Sequence, residues 1–226
     1  MRTVISSRSA RGGLLAAAVA GSLILAATAC QGDGDEAPAD KAVAGTELCG
    51  GDAVSTGASK ALKVITGSSR FGTTAPESTV AQAATDLVEA WPYPTDRRDD
   101  ICRVYTAAGE PEFELRITWG LAGGPPTRTP APQFTALKMG EETLAAEYKA
   151  VIQFACRSDR FPNATKPAHV AVGVERWGVR REPEGDVEAL KDAYATVAHS
   201  FSLAMAGELR CEKNGGLPAE PVLDPA

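Results

Sequence analysis

Phe113-Glu114-Leu115-Arg116-Ile117-Thr118-Trp119 is the stretch on which the reading of the fold turns. Apolar and polar side chains alternate through it without a break. Successive side chains of a strand point to opposite faces, so this is a strand with one face buried and one wet. Its neighbours read the same way. Ile101 to Thr106 forms a strand before it, with Gly109-Glu110-Pro111 turning between the two. Tyr148 to Arg157 places Ala150, Ile152, Phe154 and Cys156 on one face, and His169 to Trp177 does so with Val170, Val172 and Val174. Ser158 to Pro167 links those two strands and is long for a hairpin. Leu121 to Thr135 is a loop rich in Pro and Gly, and Glu141 to Ala146 fits either a short helix or a bent strand.

Outside this block the period changes to that of a helix. Ala58, Ala61, Leu62 and Ile65 share one side of a segment from Ser55 to Ile65, which Gly67 stops. Val80, Ala84, Leu87, Val88 and Trp91 form a stripe over Glu77 to Trp91, between Pro76 and Pro92. Asp186 caps a third and longer helix, in which Val187, Leu190, Tyr194, Val197, Phe201 and Met205 recur at three- and four-residue steps. Strands grouped together with helices at the ends imply an α+β fold. The expected architecture is an antiparallel sheet of about four or more strands, with two N-terminal helices and a long C-terminal helix packed on it. A parallel nucleotide-binding sheet is not expected, because helices and strands do not alternate.

The chain opens with Arg2, Arg8 and Arg11, then runs apolar from Leu14 to Ala29. A charged start, a short apolar stretch and a small-residue exit are the parts of a secretory signal peptide. The apolar run falls short of the about 20 residues that a span needs. It ends Leu25-Ala26-Ala27-Thr28-Ala29-Cys30, the form of a lipobox, so residues 1–29 are expected to be cleaved and Cys30 lipidated. The alternative is ordinary secretory cleavage after Ala29, since Ala27 stands where Leu or Val is commoner. Under the lipobox reading, acyl chains would hold Cys30 on the outer face of the cell membrane, at about 0.8 kcal/mol per buried CH₂. Residues 30–46 lack aromatic residues and nearly all branched apolar ones, and read as a flexible tether with a reach of about 20 to 25 Å. Residues 47–212 make one domain, and residues 213–226 read as a loose tail.

The whole chain carries a formal charge of −6; without the three signal arginines, 20 basic residues face 29 acidic ones. That balance excludes nucleic acid as a partner, since its binding relies on clustered Lys and Arg. Cys49, Cys102, Cys156 and Cys211 remain beside Cys30. An even number in an exported domain reads as two disulfides. Three pairings are possible. Cys49–Cys102 with Cys156–Cys211 is preferred, because each joins a helical region to a strand without crossing the other. The absence of any C-x-x-C argues against a zinc site.

Leu48-Cys49-Gly50-Gly51, Ala61-Leu62-Lys63-Val64-Ile65-Thr66-Gly67, Cys102-Arg103-Val104-Tyr105 and Leu209-Arg210-Cys211 resemble actinobacterial envelope lipoproteins of unknown function, over most of residues 47–217. The resemblance implies compartment and disulfides, and a compact α+β fold of the PsbP type. It implies no activity, because these motifs are cysteine and packing positions.

Signatures of catalysis are missing. Gly57-Ala-Ser59 and Gly67-Ser-Ser69 do not make G-x-S-x-G, and no glycine-rich stretch is followed by Gly-Lys-Ser/Thr. His169 and His199 lack the companions of a metalloprotease motif. His199 lies about 160° from the apolar stripe of its helix, counting about 100° per residue, and should face solvent. The paired carboxylates Asp99-Asp100 and Glu141-Glu142 read as solvated, and Asp96-Arg97-Arg98-Asp99-Asp100 as a self-neutralising turn. Gly123 to Pro132 reads as a surface loop. Trp119 and Trp177, near strand ends, and Trp91, near a helix end, are the candidates to line a ligand site. No catalytic, cofactor or metal residue is assigned. The expected role is a non-catalytic envelope module that binds a small ligand or a neighbouring protein. The alternative is an exported hydrolase with a carboxylate-based site.

Overall fold

In the computed structural model of this chain, the alternating stretch lies at the centre of a large sheet. The structure describes residues 42–73, 78–91, 97–106, 114–163, 165–178 and 185–226. The signal peptide, Cys30, most of the tether, Pro76, Pro92, Asp96, the turn at Gly109 to Pro111 and Phe113 lie outside the described residues.

Among the described residues, eight strands form the sheet: β1 (Val43–Ala44), β2 (Arg70–Thr73), β3 (Arg98–Thr106), β4 (Glu114–Ala122), β5 (Thr135–Leu137), β6 (Glu142–Ala146), β7 (Lys149–Cys156) and β8 (Ala168–Trp177). Their order is β1-β2-β3-β4-β8-β7-β6-β5, and every neighbouring pair is antiparallel. The α+β class and the antiparallel sheet stand. Leu115, Ile117 and Trp119 of β4 are buried, as are Ala150, Ile152, Phe154 and Cys156 of β7. One face of the sheet therefore carries the core.

The described residues include three α-helices on that side of the sheet: α1 (Thr56–Thr66), α2 (Val80–Ala90) and α3 (Val187–Glu208). Each has a side-chain cap. Ser55, Thr79 and Asp186 accept from the backbone N–H of Ala58, Gln82 and Ala189. Gly67, at φ 76°, closes α1 in the left-handed conformation that a side chain resists. α3 lies over β6, β7 and β8, and α2 over β3 and β4. α1 packs chiefly on α3, in a second layer above the sheet. Ser200 of α3 fastens that layer. Its Oγ accepts from Ser55 N at 2.8 Å and donates to Ala53 O at 2.9 Å.

Disulfides close the two ends of this arrangement. Cys49 is bonded to Cys102 of β3, and Cys156 of β7 to Cys211, just past α3. Ser158 Oγ donates to Leu209 O, and Arg160 Nη1 donates to Glu208 O at 2.6 Å. These bonds satisfy carbonyls that the end of α3 leaves without helical partners. The long link between β7 and β8 thus serves as a C-terminal cap for the helix, which accounts for its length.

Several expectations are corrected here. The tether ends sooner, because Val43 and Ala44 pair with Phe71 and Arg70 of β2. Arg98, Asp99 and Asp100 belong to β3 rather than to a turn. Leu121–Ala122 and Thr135 fall in β4 and β5 rather than in the loop between them, and of the two readings open for Glu141 to Ala146 the strand holds, as Glu142–Ala146. The tail is not loose. Leu217 is buried, Val222 and Leu223 pack against the core, and Ala226 N donates to Ala136 O at 2.9 Å. His199 is also buried rather than solvent-facing: it is 3 % exposed, and its Nε2 lies 2.9 Å from Pro218 O. α3 is enclosed by the sheet on one side and by α1 and the tail elsewhere, so a single apolar stripe does not describe its buried surface.

Candidate functional site

At one end of the sheet, where β4 runs out and β8 begins, lies a cleft of about 360 Å³. β4 contributes Leu121 and Ala122, the following loop Gly123, and the approach to β8 contributes Lys166 and Pro167. His169, the second residue of β8, and Trp91, at the end of α2, complete it. The sheet register produces this grouping, since Ala122 of β4 lies opposite His169 of β8. Trp91 is half-buried, and its ring is backed by Phe161 from the β7–β8 link, with centroids 5.1 Å apart. An aromatic wall held from behind in this way keeps the cleft open.

His169 is fixed by a second set of contacts. Its Nδ1 lies 2.7 Å from Glu141 Oε2, and the same oxygen accepts from Gln153 Nε2 at 3.3 Å. Gln153 also donates to Gly124 O at 3.0 Å, which ties the loop after β4 to this network. Glu141 is placed by its own backbone, because its N–H donates to Gln153 O at 2.7 Å. Gly140 makes that approach possible. At φ 61° it sits in the left-handed region, and a Cβ there would lie 2.4 Å from Gln153 O. A carboxylate that holds one imidazole nitrogen fixes the ring's tautomer and leaves the other nitrogen for chemistry or recognition.

The other face of the sheet carries charge in compensated groups. Asp100 accepts from Arg103 at 2.9 Å and also from Arg116, and Glu114 lies 3.6 Å from Arg103. The side-chain bond to Asp100 raises the Arg103 pKa further. Lys149 pairs with Glu175 at 2.5 Å. A carboxylate bound by two guanidiniums is poorly placed to act as a base, so Asp99-Asp100 supplies no acid–base pair.

The two tryptophans proposed as lining residues do not meet. Trp119 is 2 % exposed and belongs to the core, whereas Trp177 is 47 % exposed beneath the Arg116 guanidinium, 4.7 Å from its ring centroid. Register explains the separation. Trp119 pairs with Val172 and Trp177 with Glu114, so the two stand at different heights on opposite faces. Trp91 is the tryptophan that lines the cleft. The Glu141–His169 contact has no sequence signature, since 28 positions separate the two residues. They are brought together only by the β6–β7–β8 pairing.

No group of three or more His, Cys, Asp or Glu side chains suited to a metal ion occurs among the described residues. Nor is any helix among the described residues long and apolar enough to cross a membrane. No family model, no curated protein and no solved structure matches this chain.

Proposed function

We propose that this chain is a membrane-anchored extracytoplasmic lipoprotein of the actinobacterial envelope kind. Its domain acts there as a non-catalytic module that binds a small ligand in the cleft beside Trp91 and His169. The cleft carries the reading. It is concave, mostly apolar, and within the about 300 to 1,000 Å³ usual for small-molecule sites. It offers a few polar groups, one of them a histidine that Glu141 orients. Among the described residues, its lining contains no Ser, Cys or Thr to act as nucleophile. The disulfides favour an oxidising compartment, and the stretch ending at Cys30 favours a lipid anchor.

A second reading, an exported hydrolase with a carboxylate-based site, draws on the same Glu141–His169 contact. That pair has the form of a base and its orienting group. It ranks lower because water would have to be the nucleophile and no carboxylate lines the cleft among the described residues.

Two experiments test the proposal. Mass spectrometry of the purified protein under native and denaturing conditions should show a discrete extra mass in the native state. That mass should disappear in Gly123→Phe, which fills the cleft at an exposed glycine whose Cβ meets nothing within 4 Å. Equal native and denatured masses would count against a retained ligand. Replacing Cys30 with Ala should move the protein from the membrane fraction to the medium, and continued membrane retention would refute the anchor.

A further inference from the structure

We infer that the ligand class is a small ring compound bearing both a hydroxyl and an acidic group, with the hydroxyl donating to His169 Nε2. This inference rests on the ligand-binding reading above and adds the chemistry of the ligand. Ionised carboxylates only accept hydrogen bonds. When the ring carries one proton, Glu141 Oε2, 2.7 Å from Nδ1, holds that proton on Nδ1. Nε2 is then a bare lone pair, and it requires a donor from whatever enters. Lys166, the charged side chain among the described residues of the lining, has three donors and no acceptor. It requires an acceptor and repels a cation. An aliphatic amine would meet Nε2 but would place a positive charge near Lys166, so an uncharged donor is called for, and a hydroxyl is the simplest one. Between these polar ends stand Trp91, Leu121 and Pro167, surfaces suited to the face of a ring. A single-ring hydroxy acid meets each requirement at once.

The test is calorimetric titration of the full chain, in detergent, with three probes: 4-hydroxybenzoate, 4-methoxybenzoate and benzoate. We expect 4-hydroxybenzoate to bind at least about tenfold more tightly than either of the others, the scale of one satisfied polar contact in a dry site. His169→Phe should reduce it to the level of benzoate, and Lys166→Ala should weaken all three by a similar factor. Glu141→Ala frees the imidazole to choose its tautomer, so the ratio of 4-hydroxybenzoate to benzoate affinity should shrink towards one. Gly123→Phe should abolish binding of all three. Equal affinity for the three probes, lost together in Gly123→Phe, would overturn the hydroxyl assignment and leave the cleft as a ligand site. Failure of all three to bind would overturn the assignment too. The native mass comparison, which uses no added probe, would then decide the broader reading separately.

Discussion

Replacing Cys156 and Cys211 together by Ala removes the covalent link between β7 and the end of α3. The two cysteines are separated by 55 positions. In the chain-entropy description, releasing a loop of that length returns about 14 cal/mol/K to the unfolded ensemble, or about 4 kcal/mol at 25 °C. Cys156 is fully buried, so the missing sulfur also leaves a small void, worth up to about 1 kcal/mol. The native geometry has other restraints at this place, because Cys211 N donates to Ala206 O and Glu212 N to Arg157 O. The variant should therefore fold to the same structure and differ in stability alone. For a domain of this size, each kcal/mol moves Tm by about 2 to 4 °C, so the expected fall is about 8 to 20 °C. Circular dichroism melts of the variant and the parent measure it directly. Reductant added to the parent should lower Tm further than the double variant does. The loop closed by Cys49–Cys102 does not overlap this one, so the two contributions add. A fall below about 3 °C in the double variant would refute the argument that the crosslink acts by restricting the unfolded chain.

Three further outcomes follow from particular contacts. Ser200→Ala strands the Ser55 N–H and the Ala53 carbonyl beneath α1, which should cost about 2 kcal/mol and lower the urea midpoint with an unchanged slope; an unaltered midpoint would mean that water replaces the hydroxyl. Gly140→Ala forces a side chain into the left-handed region against Gln153 O, and about 2 kcal/mol or more should be lost in the same assay. Burial holds the His199 imidazole below its ordinary pKa, against the opposing influence of the Pro218 carbonyl and Glu220. Above about pH 6.5, the ordinary histidine value, the ring is neutral in folded and unfolded states alike and its contribution is fully present. As pH falls through that value the unfolded chain takes up the proton first, so stability declines until the folded ring is protonated too. Urea midpoints at pH 7.5 and 5.5 should therefore lie further apart in the parent than in His199→Gln, and equal differences would show that another group governs the acid limb.

What the sequence reveals depends on how local the responsible contact is. The strands β4, β7 and β8 were legible because eight to ten residues hold several cycles of a two-residue period. β1, with two residues, and β5, with three, hold no full pattern; their pairing partners define them. β2 lay hidden in a glycine-containing stretch that reads more simply as the end of α1. His199 was misread because α3 is enclosed from several sides, and the small residues Ala195, Ala198 and Ser202 that admit those neighbours carry little hydrophobic signal. The tail was misread for a related reason: proline and glycine suggest looseness, yet Leu217 alone provides an anchor. In the cleft, Trp91 was legible as an aromatic at a helix end. The partnership of His169 with Glu141 was not, since it depends on how three strands are set against one another.

The course of the last residues along β5 bears on how this molecule behaves among its own copies. The outermost strand of a sheet ordinarily presents amide and carbonyl groups that a second chain can adopt, the starting point of side-by-side polymerisation. Here Ala226 occupies the carbonyl of Ala136, and Pro225, which has no N–H to offer, is bridged to Leu137. The rim is shielded from within the same chain, by a residue that cannot itself recruit a further strand there. Such a guard would keep individual molecules separate, and it would matter most under the proposed anchoring, where neighbours held on a two-dimensional surface meet far more often than in solution.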